Sequence, residues 1–141
     1  MEGAHLTFDE AVKGFPIELR GAKPKGAPHT PWQLLEHLRI AQWDVLDFSR
    51  NPAYQEMKWP DDYWPKTGVP PDAAAWDQSV EQFRRDLKAI EELVSDASVD
   101  LTARIPHGTG QTVLREALLV ADHNSYHLGQ LVFVRKMLEG K

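Results

Sequence analysis

The amino-acid sequence predicts an all-α protein, a four-helix bundle. Four segments carry apolar residues at the three- and four-residue spacings of amphipathic helices, and no segment shows the alternation typical of a β-strand. Connections rich in proline and glycine separate these segments. The chain has 141 residues, of which 42% are hydrophobic and 26% are charged, the ordinary balance of a globular domain. We therefore expect a single domain over residues 1–141.

The first predicted helix is short. Thr7 and Glu10 have the spacing of a capping box, in which each side chain accepts a hydrogen bond from a backbone amide at the start of a helix. Gly14 and Pro16 follow within two turns, and both residue types interrupt helices. We expect the helix to end or bend there.

The second predicted helix runs from about Pro31 to about Arg50. Thr30 and Gln33 repeat the capping-box spacing, and proline occupies the first helical position. His37 lies on the same side of this helix as its apolar stripe, so we expect its imidazole to face the core. The stripe consists of Leu34, Leu38, Ala41, Val45 and Phe48.

A long crossover and two further helices complete the predicted bundle. Residues 51–71 carry five of the ten prolines and several aromatic residues, which favours an ordered loop pinned by buried rings. Asp72 is expected to cap the third helix, whose apolar positions follow a heptad-like spacing. The fourth helix is predicted from Gln111 or Thr112 to Leu138, ending at Gly140.

Composition excludes several classes of function. The formal net charge of −5 opposes binding to a phosphate backbone, so we expect no nucleic-acid partner. The chain has no cysteine, hence no disulfide and no thiol nucleophile of its own. No apolar run reaches the length of a membrane span and the first residues do not resemble a secretory signal. We therefore expect a cytoplasmic protein without a membrane partner.

Three histidines predict a metal site. His123 and His127 are four residues apart, which places both imidazoles on one face of the fourth helix. Together with the core-facing His37 they make three nitrogen ligands, the number found in catalytic metal sites that keep an open position. Burying three imidazoles without a shared partner would cost about 1–3 kcal/mol for each unsatisfied nitrogen. We therefore expect His37, His123 and His127 to bind one ion, more weakly as the pH falls toward and below about 6.5.

The ligand set narrows the chemistry without fixing the ion. Three imidazoles suit a divalent transition metal, and we expect zinc or nickel, with iron and copper as alternatives. Residue 124 is asparagine, where a zinc-protease helix carries a glutamate, so peptide hydrolysis is not expected.

Other polar residues near the histidines are less informative. Asp44 and Glu116 could orient an imidazole, but both are interpreted first as charges on the helix surface. Tyr126 and Gln130 could line the open coordination positions. His29 and His107 are interpreted as loop residues. An apolar pocket above the metal could be walled by Trp43, Trp59, Tyr63 and Trp64.

The chain resembles the DinB-like family of small metal-binding helical bundles, which is unrelated to the DNA polymerase of that name. The resemblance rests on the helix around His37, the long crossover, and His123-x-x-x-His127 followed by Leu128-Gly129-Gln130-Leu131. It implies up-down-down-up connectivity, a divalent ion held by His37, His123 and His127, and a homodimer. Some relatives are transferases or isomerases that use low-molecular-weight thiols such as bacillithiol or mycothiol, and many have no assigned activity. The short first helix departs from the longer one of that family.

Three functional hypotheses follow. In the first, the protein is a metal-dependent enzyme that activates a low-molecular-weight thiol or water for transfer to an electrophilic small molecule. In the second, it is a non-catalytic dimeric protein with a stress-related role that binds a metal or another ligand. In the third, the histidines bind no metal, and His127→Ala would leave the metal content unchanged.

Overall fold

The computed structural model describes residues 3–141, in which every regular secondary-structure element is a helix and one isolated β-bridge joins Arg104 and Thr112. Its helices are α1 (Phe8–Val12), α2 (Pro31–Arg50), α3 (Ala75–Ser95) and α4 (Val113–Glu139). A 3-10 turn, Ile17–Leu19, lies between α1 and α2. The predicted all-α helical bundle is confirmed, and the crossover between α2 and α3 spans residues 51–74.

Local hydrogen bonds explain most helix ends. The capping boxes predicted at Thr7 and Thr30 are both present, and α2 has the bounds expected from the sequence. Thr112 accepts a hydrogen bond from the backbone amide of Arg115 at the start of α4. Gly140 ends that helix in the left-handed conformation, with φ of 70°, which glycine adopts at little cost.

The start of α3 differs from the prediction. The helix begins at Ala75, and its N-cap residue is Ala74, whose side chain makes no capping hydrogen bond. Asp72 instead accepts from the backbone amides of Ala74 and Ala75 at 2.9 and 2.8 Å. The carboxylate therefore stabilises a turn that leads into the helix, which starts two residues later than its acidic residue indicated.

Two apolar clusters define how the helices run. α2 packs against both α3 and α4. The first core cluster includes Leu35 of α2, Trp76 of α3 and Leu131 of α4, and the second consists of Leu46, Ile90 and Val120 from the same three helices. Along the chain, α2 and α3 each contribute to the first core cluster before they contribute to the second. In α4 the residue of the second cluster comes first. α2 and α3 are therefore parallel, and α4 is antiparallel to both.

The long crossover makes the parallel pair possible. An immediate hairpin would place α3 antiparallel to α2, whereas residues 51–74 return the chain to the end of the bundle where α2 began. Within residues 3–141, none of the helices combines the length and the apolar content that crossing a lipid bilayer requires.

Candidate metal centre

The three predicted histidines meet between the two core clusters. The Nε2 atom of His37, on α2, lies 3.1 Å from Nε2 of His127 and 3.0 Å from Nε2 of His123, both on α4. One ligand atom from each residue lies within 4.8 Å of the other two. The four-residue spacing presents two imidazoles on one face of α4, and the antiparallel packing places His37 opposite them. The convergence expected from the sequence is thus present.

Hydrogen bonds on the far side of two rings fix where their lone pairs point. Nδ1 of His37 donates to the backbone oxygen of Tyr63 at 2.8 Å, and Nδ1 of His127 donates to Oε1 of Gln130 at 2.8 Å. Each oxygen can only accept, so Nδ1 carries the proton and Nε2 presents a lone pair. Two lone pairs therefore face each other with no proton between them. This donor set fits a shared divalent cation.

Burial keeps the imidazoles neutral, which is the form that binds a metal. The side chain of His37 is 1% exposed, and burial lowers its pKa to about 4, although the hydrogen bond to Tyr63 opposes that shift. Burial, followed by the nearby His127, lowers the pKa of His123 to about 4. The pKa of His127 is also lowered, again by burial first.

An aromatic stack holds the ring of His37 in place. The Trp64 ring lies parallel to the His37 ring, with centroids 3.8 Å apart and an interplanar angle of 3°. His29 stacks on Trp64 with a centroid distance of 4.0 Å. Trp64 therefore fixes the plane of a predicted ligand and covers one face of it. His29 was interpreted only as a loop residue, because the sequence cannot show that the crossover inserts Trp64 between two histidines.

Asp44 anchors the crossover to α2. Its carboxylate is buried and accepts hydrogen bonds from the hydroxyl groups of Tyr54 at 2.9 Å and Tyr63 at 2.7 Å. The interpretation of Asp44 as a solvated surface charge is therefore wrong. Burial, followed by the hydrogen bond to Asp44, raises the pKa of Tyr54 to about 12 and raises that of Tyr63 as well. Asp44 thus acts on His37 through Tyr63, whose backbone oxygen accepts from the imidazole.

Glu116 has no contact with the histidines. It is 4% exposed, and Nη1 of Arg115 lies 2.5 Å from its Oε1 atom. Its interpretation as a surface charge is wrong, because the helix buries the carboxylate against α2 and α3, beside Val45 and Ile90. The alternative interpretation, a charge at the helix start, agrees with its position in the first turn of α4.

Two further residues, Tyr126 and Gln130, contact His127, whereas His107 lies in a loop. Tyr126 is 64% exposed and packs edge-on against the His127 ring, with centroids 4.8 Å apart. Gln130 orients His127 through the hydrogen bond described above. His107 is a loop residue, as predicted, and its Nε2 donates to the backbone oxygen of Phe48 at 2.6 Å.

A buried polar link beside the histidines was missed from the sequence. Nδ2 of Asn124 donates to Oε1 of Gln42 at 2.8 Å, and Nε2 of Gln42 donates to the backbone oxygen of Phe83 at 2.9 Å. This link joins α4, α2 and α3 in one plane of the bundle. Gln42 is 1% exposed, and its place among apolar residues of α2 was the one available signal.

A cavity adjoins two of the three histidines, His37 and His123. Its volume is about 240 Å³ and most of its lining is apolar. We call it the inner cavity, and its walls include His37, His123, Ala41, Val120, Trp59 and Tyr63. Trp59 and Tyr63 were expected there, and Trp64 instead covers His37. Trp43 is not among the lining residues and is 41% exposed on α2.

Fold and side chains together define an α-helical bundle protein with a possible three-histidine metal site between two antiparallel helices. The family model described as the DinB superfamily matches residues 2–131. The chain therefore belongs to the DinB superfamily, as the sequence resemblance predicted. Searches of curated proteins and of solved structures found no match to the chain.

Proposed function

We propose that this protein is a metal-dependent enzyme that activates a low-molecular-weight thiol or water for transfer to an electrophilic small molecule. One observation carries the proposal: three imidazole Nε2 atoms meet, and two of these imidazoles, those of His37 and His123, line an apolar cavity of about 240 Å³. His37, His123 and His127 would hold a divalent transition-metal ion, zinc or nickel in the first place and iron or copper as alternatives. When bound, the ion supplies the positive charge that lowers the pKa of a coordinated thiol or water.

The chain's own residues would orient the ligands and exclude water. Tyr63 and Gln130 keep the Nδ1 protons of His37 and His127 in place, so that both Nε2 lone pairs stay available. The aromatic and aliphatic walls of the inner cavity would shelter an apolar electrophile. Because the chain has no cysteine, the thiol must come from solution.

The test compares metal content and turnover in matched histidine variants. Wild type should carry about one equivalent of metal, and His127→Ala should bind it at least 100-fold more weakly, since changes even beyond the ligands cost about 10–100-fold. Thiol-dependent turnover of a panel of epoxides, alkyl halides and quinones should fall together with the metal content. His5→Ala removes an exposed imidazole that precedes α1 and lines no cavity beside the histidines, and it should change neither.

Two results would contradict the proposal. Unchanged metal content in His127→Ala would mean that the histidines do not form the site. Full metal occupancy without turnover of any thiol- or water-dependent substrate would mean that the protein binds a metal but is not an enzyme of this class.

A second candidate function, a non-catalytic homodimer, is favoured by the surface of α4. Leu119, Tyr126 and Phe133 are seven residues apart and are 38%, 64% and 65% exposed. Apolar residues at a heptad spacing on an exposed helix are typical of a helix–helix interface. Two copies of α4 could pack there and hold a metal or a ligand without chemistry.

Sedimentation measurements test this dimer. Phe133→Glu should shift the protein to the monomer by placing a charge in the interface, whereas Val69→Glu, an equivalent change at a 55% exposed loop residue, should leave it dimeric. Monomeric wild type at micromolar concentration would contradict the dimer. Turnover retained by a monomeric Phe133→Glu variant would show that catalysis does not require it.

A further inference from the structure

A second cavity adjoins the inner cavity. We call it the outer cavity; its volume is about 390 Å³. The two cavities share Asp44, Val45 and Leu119 as lining residues. The inner cavity ends at the histidines, whereas the outer cavity lies between the first part of the crossover and the loop before α4. A molecule whose reacting end lies beside His123 could therefore extend past Leu119 into the outer cavity.

The outer cavity is more polar and carries an excess of negative charge. Its wall includes three carboxylates, those of Asp44, Glu56 and Glu116, and one guanidinium, that of Arg115. Arg115 is paired with Glu116. Among residues 3–141, no ion pair involves Asp44 or Glu56. Two carboxylates in this wall are therefore without a cationic partner.

The charge of these carboxylates acts on the tyrosine between them. Tyr54 lines the outer cavity and donates its hydroxyl proton to Asp44. Burial raises the pKa of this hydroxyl first, and the negative charges of Asp44 and Glu56 raise it further. The negative charges of Asp44 and Glu56 would attract a cation placed near Tyr54 and repel an anion placed there.

We propose that the two cavities form one elongated site whose ligand is a thiol with a cationic amine at the end remote from the sulfur. This inference rests on the proposed function, because it places the thiol sulfur at the three histidines. The amine would lie in the outer cavity beside Glu56 and Asp44. Thiols that carry a carboxylate or a phosphate at the same distance would be disfavoured.

The experiment measures thiol binding by spectroscopy rather than by turnover. Protein loaded with Co²⁺ is titrated with 6-aminohexane-1-thiol, 6-mercaptohexanol and 6-mercaptohexanoate, and sulfur coordination is followed by its charge-transfer absorption. We expect the amine to bind about tenfold more tightly than the carboxylate, with the alcohol between them. The two-carbon thiols cysteamine, mercaptoethanol and mercaptoacetate are too short to span both cavities and should differ by less than about threefold.

Two charge-matched variants separate the outer cavity from the overall negative charge of the protein. Glu56→Gln should reduce the preference for the long amine by roughly two- to fivefold. Glu91→Gln changes an exposed carboxylate on α3 that lies outside both cavities and should not. Glu56 is exposed, so its substitution leaves the core intact.

Two kinds of result would overturn the inference, and they distinguish a failure of the amine site from a failure of the proposed thiol activation. Equal affinity for the three six-carbon thiols, or an equal effect of Glu56→Gln and Glu91→Gln, would refute the amine site and leave thiol activation standing. No charge-transfer absorption with any thiol would refute thiol binding at the histidines, and the amine site with it.

Discussion

At the residue level, the candidate metal centre depends on keeping neutral imidazoles in fixed orientations. His37 is restrained by the Tyr63 backbone oxygen at Nδ1 and by the parallel Trp64 ring on its face. Its burial disfavours the protonated form, because a charged imidazole would lose hydration without gaining an anionic partner. The same environment that prepares His37 to bind a cation therefore makes the metal-free protein sensitive to acid.

The metal-free protein should lose stability as the pH falls from about 6.5 to about 4. His37 and His123 titrate near 4 in the folded chain and near 6.5 when unfolded, so within this interval the unfolded state binds more protons. The free energy of unfolding should be constant above the interval and fall across it by up to about 3 kcal/mol for each of the two imidazoles. Urea unfolding at a series of pH values, with metal removed by a chelator, measures this change.

Two histidine variants provide the control for the pH series. His123→Asn removes one half-buried imidazole and should reduce the dependence between pH 6.5 and 4 by about half, leaving the contribution of His37, whereas His5→Asn removes an exposed imidazole and should leave it unchanged. A wild-type unfolding free energy that rises on acidification in this interval would show that the imidazoles are not held in the neutral form.

At the level of the secondary-structure elements, what the sequence predicts depends on how local the determining contacts are. The start of α2 follows from Thr30 and Gln33, which lie three residues apart, and the sequence was sufficient to predict it. The buried state of Asp44 depends on hydroxyls 10 and 19 residues away in an irregular crossover, so no helical periodicity could indicate it. The stacking of Trp64 between His29 and His37 is likewise fixed by how the crossover folds back.

The Asp44 anchor predicts a specific difference between two tyrosine variants. Tyr54 and Tyr63 each donate a hydroxyl proton to Asp44, but only Tyr63 also contacts His37. Tyr63→Phe removes the hydroxyl that ties residue 63 to Asp44, so its backbone oxygen should hold the His37 ring less firmly. Metal binding should therefore weaken by about tenfold in Tyr63→Phe and by much less in Tyr54→Phe. Each substitution should cost about 1.5–3 kcal/mol of stability, because each removes a hydrogen bond to a charged group. Metal titration and urea unfolding give the two quantities.

Limited proteolysis shows whether these effects arise in the crossover. Asp44→Ala removes the acceptor for both hydroxyls and should speed tryptic cleavage after Lys58 and Lys66, the exposed lysines of residues 51–74. Cleavage after Lys88, in the middle of α3, should change less. Equal acceleration at all three lysines would mean that Asp44 stabilises the bundle as a whole and does not anchor the crossover specifically.

At the level of the whole molecule, the antiparallel packing of α2 and α4 creates the site. His37 and His127 are 90 residues apart, and they meet because the two core clusters align these helices in opposite directions. Periodicity identified the inward faces from the sequence, but the relative heights of the histidines follow from packing that no local pattern encodes. Between the clusters the helices are joined by polar contacts such as the Asn124–Gln42 hydrogen bond, and the buried side-chain oxygen of Asn124 has no hydrogen-bond partner. Such a layer contributes less stability than apolar packing would.

A metal that bridges α2 and α4 through this layer should therefore stabilise the whole bundle. Zinc or nickel that binds only the folded state at a free concentration of 100 times Kd adds about 2.7 kcal/mol, which corresponds to roughly 10 °C in Tm for a chain of this size. Scanning calorimetry of the chelator-treated protein, with and without added ion, measures the rise. His127→Ala should abolish it, whereas His29→Ala, which removes an imidazole outside the triad, should retain most of it. An equal rise in His127→Ala would place the ion elsewhere on the protein, and no rise in wild type would leave the three imidazoles as a polar layer of the core without a bound cation.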